Sequence, residues 1–179
     1  MKAVVFVDVQ KDFVKGGKLA FGYPAEDNLQ KIVDFAKQCA DDAGCKIYAT
    51  RDTHCDNYMK TLEGQKLPVE HCVEGTDGWQ IVDTLMEVLL GKATFVNKPT
   101  FGSYDLADIV AEDFGKNGPE EIIICGYDLS ICCLANAVLL RAKFPNVKIT
   151  VKTGLCGDVD KAAFDAAVKV LQMQQIEIA

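Results

Sequence analysis

The stretch Ile122-Ile-Ile-Cys-Gly-Tyr-Asp-Leu-Ser-Ile-Cys-Cys-Leu-Ala-Asn-Ala137 restricts the folds open to this chain more than any other. Its opening apolar run, closed by Gly126, has the pattern of a strand buried in a parallel sheet. From Ile131 the period becomes helical: Leu134, Val138 and Leu139 share a face, and Ala135, Ala137 and Ala142 add helix propensity. Cys132 and Cys133 fall where the strand has ended and the helix begins. Ligands of an α/β sheet bind at this carboxyl end of its strands. A helix N-terminus there offers free N–H groups and a positive dipole end. Both lower a thiol's pKa and both can hold an oxyanion, which makes a cysteine at this point a candidate nucleophile.

The rest of the chain repeats the alternation. Strands are expected at residues 3–9, 46–50, 94–97, 121–125, 147–151 and 176–178. Helices are expected at 26–43, 78–90, 104–114, 131–144 and 159–173. Residues 51–77 show no clear period and contain Gly64, Pro68 and Gly75, so they read as one long loop of the kind that often carries function. This order predicts a single α/β domain over residues 1–179, three layers deep, with a mostly parallel sheet of about six strands and helices on both faces. The 179 residues suffice for one sizeable core. A net charge of −7 argues against nucleic acid or an anionic membrane as partner. No apolar run approaches the ~18 residues of a membrane span. Residues 1–8 are interrupted by an aspartate and read as a strand, not a leader. With no leader, the eight cysteines point to a reducing cytoplasm, and Cys39, Cys45, Cys125 and Cys156 read as small core residues.

Three ionisable residues fall at the carboxyl ends of separate strands: Asp8, Lys98 and Cys132. A parallel sheet brings such ends onto one rim. There a carboxylate can take a thiol proton and a lysine can favour both anions. Each alone also fits a plainer role, as a cap, a surface lysine or a core thiol. The long loop holds both histidines of the chain, within Arg51-Asp-Thr-His54 and at His71. Asp52, His54, Glu63 and His71 form an oxygen and imidazole set suited to Zn²⁺, Fe²⁺ or Mn²⁺, although a polar loop with surface histidines is the competing reading. Cys55 and Cys72 adjoin the histidines, but the alternation that aims the histidines at one centre aims these thiols away.

Five segments occur in order: Phe6-Val-Asp8-Val-Gln-Lys-Asp-Phe13, Arg51-Asp-Thr-His54, Glu70-His-Cys-Val-Glu-Gly-Thr76, Asn97-Lys98-Pro-Thr-Phe101 and Cys125-Gly-Tyr-Asp-Leu-Ser-Ile-Cys132. Together they resemble the isochorismatase-like cysteine hydrolase superfamily, and within it the nicotinamidases. The resemblance covers essentially the whole chain. It implies a triad of Asp8, Lys98 and Cys132, and a cis peptide before Asp128 that presents the backbone N–H groups of Asp128 and Cys132 as an oxyanion hole. It implies a divalent metal, zinc before iron or manganese, held by Asp52, His54, His71 and, in place of a frequent third histidine, Glu63. It further implies hydrolysis of nicotinamide to nicotinate and ammonia through a cysteine thioester, as in NAD salvage, and self-association into a dimer or larger homo-oligomer.

The chain departs from the family pattern in three places. Leu67-Pro precedes the second metal histidine where a Trp-Pro pair is usual, Asp128-Leu-Ser130 replaces a small-Thr-Asp sequence, and Cys133 replaces an aliphatic residue and reads as a packing thiol. Phe13, Phe101 and Tyr104 are the expected aromatic walls of the substrate site. The altered wall keeps open a hydrolase of another small amide, ureido or carbamoyl compound. A catalytically silent small-molecule or metal-binding protein on the same scaffold is a further alternative. Adjacent cysteines are not the spaced pair of a thiol-redox motif.

Overall fold

The computed structural model describes residues 1–24 and 28–179. Strands β1 (Lys2–Val7), β2 (Cys45–Asp52), β3 (Ala93–Lys98), β4 (Glu121–Gly126), β5 (Lys148–Cys156) and β6 (Glu177–Ile178) form one sheet in the order β3-β2-β1-β4-β5-β6. Every pairing in it is parallel. The central strands are apolar on both faces: Ala3 to Val7 and Ile122, Ile124 and Cys125 are all fully buried, as strands covered by helices on two sides must be.

Among the described residues six α-helices accompany this sheet: α1 (Leu29–Asp41), α2 (Leu62–Lys66), α3 (Asp83–Leu89), α4 (Tyr104–Phe114), α5 (Leu134–Lys143) and α6 (Lys161–Met173). Helix α1 packs on α3, whereas α4 and α6 flank α5. Right-handed crossovers explain the division. The chain moves one way along the sheet from β1 to β3, then returns past β1 and moves the other way from β4 to β6. The direction therefore reverses between β1 and β4, and the strand ends beside that switch are where a ligand crevice opens.

Local chemistry sets the boundaries. Helix α4 starts where Ser103 Oγ accepts the Leu106 N–H (3.0 Å) and stops at Gly115, whose φ is 72°. Gly126 ends β4 with φ 124°, and a Cβ there would collide with the Val7 carbonyl oxygen on the paired strand.

Five expectations need correction. Residues 51–77 are not all loop: β2 runs on to Asp52, and a 3-10 turn (Tyr58–Lys60) and α2 follow, α2 being capped by Thr61 Oγ1 on the Gly64 N–H. Five helical residues are too few to show a period. The helix expected at 78–90 begins only at Asp83, because Lys11 N donates to Gln80 O (2.9 Å) and Val82 N to Val9 O (3.0 Å), a tie to residues remote in sequence. Strand β5 continues to Cys156, past the apolar run that ended the expected strand. The helix expected from Ile131 is preceded by a wide π-type turn, Leu129–Cys133, and becomes α-helical at Leu134. The helix expected from residue 26 begins at Leu29 in the described chain; residues 25–27 lie outside the described residues.

Candidate active site and metal cluster

Four strand ends deliver the site. Asp8 follows β1 with φ 49°, and its backbone N–H donates to Thr50 on β2. Thr50 Oγ1 in turn donates to Asp8 Oδ1 at 2.6 Å. Lys98 closes β3 in register with Asp52 at the end of β2. Its side chain is 1% exposed and reaches across the rim, with Nζ 2.6 Å from Asp8 Oδ2, 3.4 Å from Asp52 Oδ1 and 3.5 Å from Cys132 Sγ. The lysine is thus a buried counterion for two carboxyls and not a surface residue. Among the described residues Lys98 is the one group that meets Asp8 Oδ2, and a carboxylate oxygen so placed keeps a second lone pair to receive a proton.

Burial pushes the Asp8 carboxyl up, against the pull of Lys98. Burial works against a charged Lys98, but Asp8, Cys132 and Asp52 prevail and hold it protonated well above the ordinary lysine range. The Cys132 thiol also moves up, through burial, with Lys98 opposing. This reverses the direction expected of a thiol at a helix start. The N–H groups of the turn are already committed to acceptors: Leu129 N to Gly157 O, Ser130 N to Asp158 Oδ2 (2.9 Å) and Ile131 N to Asp128 Oδ1 (2.7 Å). Two of those acceptors are carboxyls, which offset the positive end of the turn.

The peptide between Tyr127 and Asp128 is cis. No acceptor among the described residues meets the Asp128 N–H, and the Cys132 N–H makes only a long 3.4 Å contact to Asp128 Oδ1. These two N–H groups are the ones available to an oxyanion. Asn136, a residue without an obvious sequence signal, ties the turn down. Its Nδ2 donates to Cys132 O (2.8 Å) and Phe101 O (3.1 Å), and its Oδ1 accepts the Ser103 N–H (3.0 Å).

Beside Asp8, Lys98 and Cys132, one ligand atom from each of Asp52, His54, Glu63 and His71 lies within 4.8 Å of the others. Asp52 Oδ2 is 2.9 Å from His54 Nε2 and 3.3 Å from His71 Nε2, while Glu63 Oε1 is 3.6 and 3.7 Å from the same nitrogens. His71 donates from Nδ1 to Val69 O at 2.7 Å, which leaves Nε2 as the inward lone pair when the ring is neutral. Burial would raise Asp52, but Lys98 and the two histidines win and hold it ionised. Burial and Asp52 push Glu63 up, and Asp52 and Val69 raise His71 despite its burial. Two imidazoles and two carboxylates in so small a volume fit a divalent transition ion. Neither Cys55 nor Cys72 belongs to the set.

A cavity of about 260 Å³ opens onto Cys132, Asp52, Glu63 and His71. Phe13 and Phe101 line it, as expected, and Phe13 sits 5.5 Å from the His71 ring. Tyr104 does not line it: the residue is 76% exposed and borders a separate surface hollow with Ala107 and Leu139. The first turn of α4 aims it outward. Leu67, which stands where the family's tryptophan is usual, also lines the cavity, and walls that sequence reasoning missed are Phe21, Ile131 and Val159, from three separate segments. Cys133 is fully buried, as a packing thiol is, and all eight cysteines are free.

A parallel α/β sheet with a buried thiol, carboxyl and lysine gathered at the carboxyl ends of its strands has the layout of a hydrolase site. The chain belongs to the isochorismatase family: residues 2–178 match its Isochorismatase domain model. A nicotinamidase/pyrazinamidase of Mycobacterium tuberculosis is 26% identical over 177 residues, covering 92% of this chain and 93% of that protein. The structure of a Pyrococcus horikoshii pyrazinamidase in complex with zinc superposes with a TM-score of 0.82 at 22% identity, over 99% of this chain and 98% of that one. A pyrazinamidase/nicotinamidase of Streptococcus mutans superposes with a TM-score of 0.85 at 22% identity, over the whole of both chains. The chain is therefore an amidohydrolase of this family. No helix among the described residues is long and apolar enough to cross a membrane.

Proposed function

We propose that this chain is a nicotinamidase, hydrolysing nicotinamide to nicotinate and ammonia in pyridine nucleotide salvage. The observation that carries the reading is Lys98 Nζ, which touches Asp8, Cys132 and Asp52 at once and so joins thiol, base and metal cluster around one ring-sized cavity. Asp52, His54, Glu63 and His71 would hold a divalent ion, zinc before iron or manganese, supplying a Lewis acid for a ring nitrogen.

The thiol starts neutral, because burial disfavours its anion. Asp8 takes its proton, and the sulfur attacks the carboxamide carbon to form a C–S bond. The Asp128 and Cys132 N–H groups receive the oxyanion. Asp8 returns the proton to the leaving nitrogen, ammonia departs, and a thioester remains. Water then attacks the thioester with Asp8 as base, the C–S bond breaks, nicotinate leaves and the Cys132 thiol is restored. Lys98 stays protonated throughout and keeps Asp8 and the sulfur in place. Phe13 and Phe101 wall the ring.

The test is ammonia release from nicotinamide. It should vanish with a chelator, return with zinc, and be absent in Cys132→Ala; normal turnover by Cys132→Ala would sink the mechanism. A second reading, a hydrolase of another small amide, draws on Leu67 lining the cavity where an aromatic wall is usual, the chain's one tryptophan, Trp79, lying instead under Arg51 at 4.3 Å. Turnover of a ureido or carbamoyl compound without nicotinamide would favour it. Eight free thiols suit a reducing cytoplasm, and the family resemblance carries self-association, which light scattering reads directly.

A further inference from the structure

The side chain of Asp128 has no part in the reading above, although its backbone does. It is 2% exposed, it borders the cavity that holds Cys132, and its Oδ1 accepts from Ile131 N at 2.7 Å and from Cys132 N at 3.4 Å. The second contact, though long, is to the very N–H that the oxyanion would need. We propose that Asp128 is a positioning residue that governs the oxyanion site through the Cys132 N–H: uncharged, it yields that N–H to the substrate oxygen, and ionised, it withholds the N–H and repels the oxyanion. The proposal rests on the thioester reading, though not on nicotinamide as substrate.

The surroundings make the switch accessible. The titratable groups facing the Asp128 carboxyl are Asp158 after β5, Asp8 after β1, and the thiols of Cys132 and Cys133 on its own turn. Asp158 is fully buried and accepts from Ser130 N, Ser130 Oγ and Val159 N, so it is anchored beside Asp128. Burial first, and then the Asp158 charge, push Asp128 up to about 7, while the Ile131 and Cys132 N–H groups pull it down. A carboxyl held there changes charge within the working range of a hydrolase. The plain alternative is that Asp128 only caps the turn, as aspartates do at helix starts.

Asp128→Asn separates the two, because an amide keeps the Oδ1 acceptor and loses the charge. The readout is Cys132-dependent turnover from about pH 5.5 to about pH 9, corrected with Cys132→Ala, on nicotinamide and on p-nitrophenyl acetate. The ester reports the same thioester and oxyanion chemistry without a pyridine ring. As pH rises through the step near 7, the wild-type rate should fall by about tenfold relative to Asp128→Asn, or about 1.4 kcal/mol in barrier. Asp158→Asn should move that step to lower pH, because it removes a charge that raises Asp128, and this second variant decides the matter if Asp128→Asn fails to fold. Superimposable profiles for wild type and Asp128→Asn, or an unmoved step in Asp158→Asn, would overturn the proposal. A profile step seen with the ester alone keeps the proposal and discards nicotinamide. Turnover of nicotinamide with coincident profiles does the opposite. No Cys132-dependent turnover of either compound defeats both.

Discussion

Replacing Lys98 with methionine keeps most of the side-chain volume and removes one charge from a fully enclosed position. The ammonium is 2.6 Å from Asp8 and 3.4 Å from Asp52, and both carboxyls are themselves buried. Breaking a buried pair by deleting one partner costs about 3–5 kcal/mol, most of it the desolvation of the charge left behind. Since Asp52 keeps its contacts to His54 and His71, the lower half of that range, about 3–4 kcal/mol, is expected at neutral pH. With a urea m-value of about 2 kcal/mol/M, the midpoint should fall by about 1.5–2 M. The assay is urea unfolding followed by fluorescence, with chelator present so that no ion offsets Asp52. Its pH dependence gives a second check. Asp8 already stands above its ordinary value of 3.8 through burial, and the loss of Lys98 raises it further. A carboxyl whose folded pKa exceeds its unfolded one costs nothing below the unfolded value, and its penalty grows until pH passes the folded value. The deficit of Lys98→Met should therefore be smaller near pH 4, where Asp8 is neutral and Asp52 alone stays ionised, and widen as pH rises. A deficit under about 1 kcal/mol at every pH would refute the argument, since it would mean that the two carboxyls are hydrated and need no counterion.

Two other variants probe the supports of the site. Asn136→Ala strands the Ser103 N–H and removes a donor from Cys132 O and Phe101 O, so it should cost about 2–3 kcal/mol in urea unfolding. It should also lower kcat by loosening the turn that carries Cys132. His71→Ala should weaken zinc binding more than tenfold in calorimetric titration, and it should reduce the protons released on binding. Because the metal-free His71 is raised, chiefly by Asp52 against the effect of burial, zinc affinity of the wild type should fall as pH drops through that raised value.

Several elements were legible because local signals agreed. Helix α4 has the limits its period gives, and the Ser103 cap and Gly115 in the structure fall at the same two ends. Strands β1 and β4 were legible as unbroken apolar runs. The structure brings Asp52, His54, Glu63 and His71 into the cluster expected of them. Helix α2 was hidden by its length, and the late start of α3 by a backbone pairing to residues 9–11 that leaves no mark near residue 80. Tyr104 could not be told from a wall residue, because its helix register fixes a face and not what that face meets.

Sequence alone determined which segments bury themselves and which residues carry chemistry, since apolar period, caps and side-chain type are local properties. It therefore determined the order of the strands and of the longer helices, and the identity of Asp8, Lys98 and Cys132 as candidates. Only the tertiary structure decided charge and contact. Lys98 crosses the rim to meet Asp8 and Cys132, burial turns the Cys132 thiol up instead of down, and Asp128 meets both a neighbouring acid and the nucleophile's N–H. The physical reason is that a group's ionisation depends on solvent exclusion and on every charge within a few ångströms. In this fold those charges come from four strand ends separated by dozens of residues along the chain.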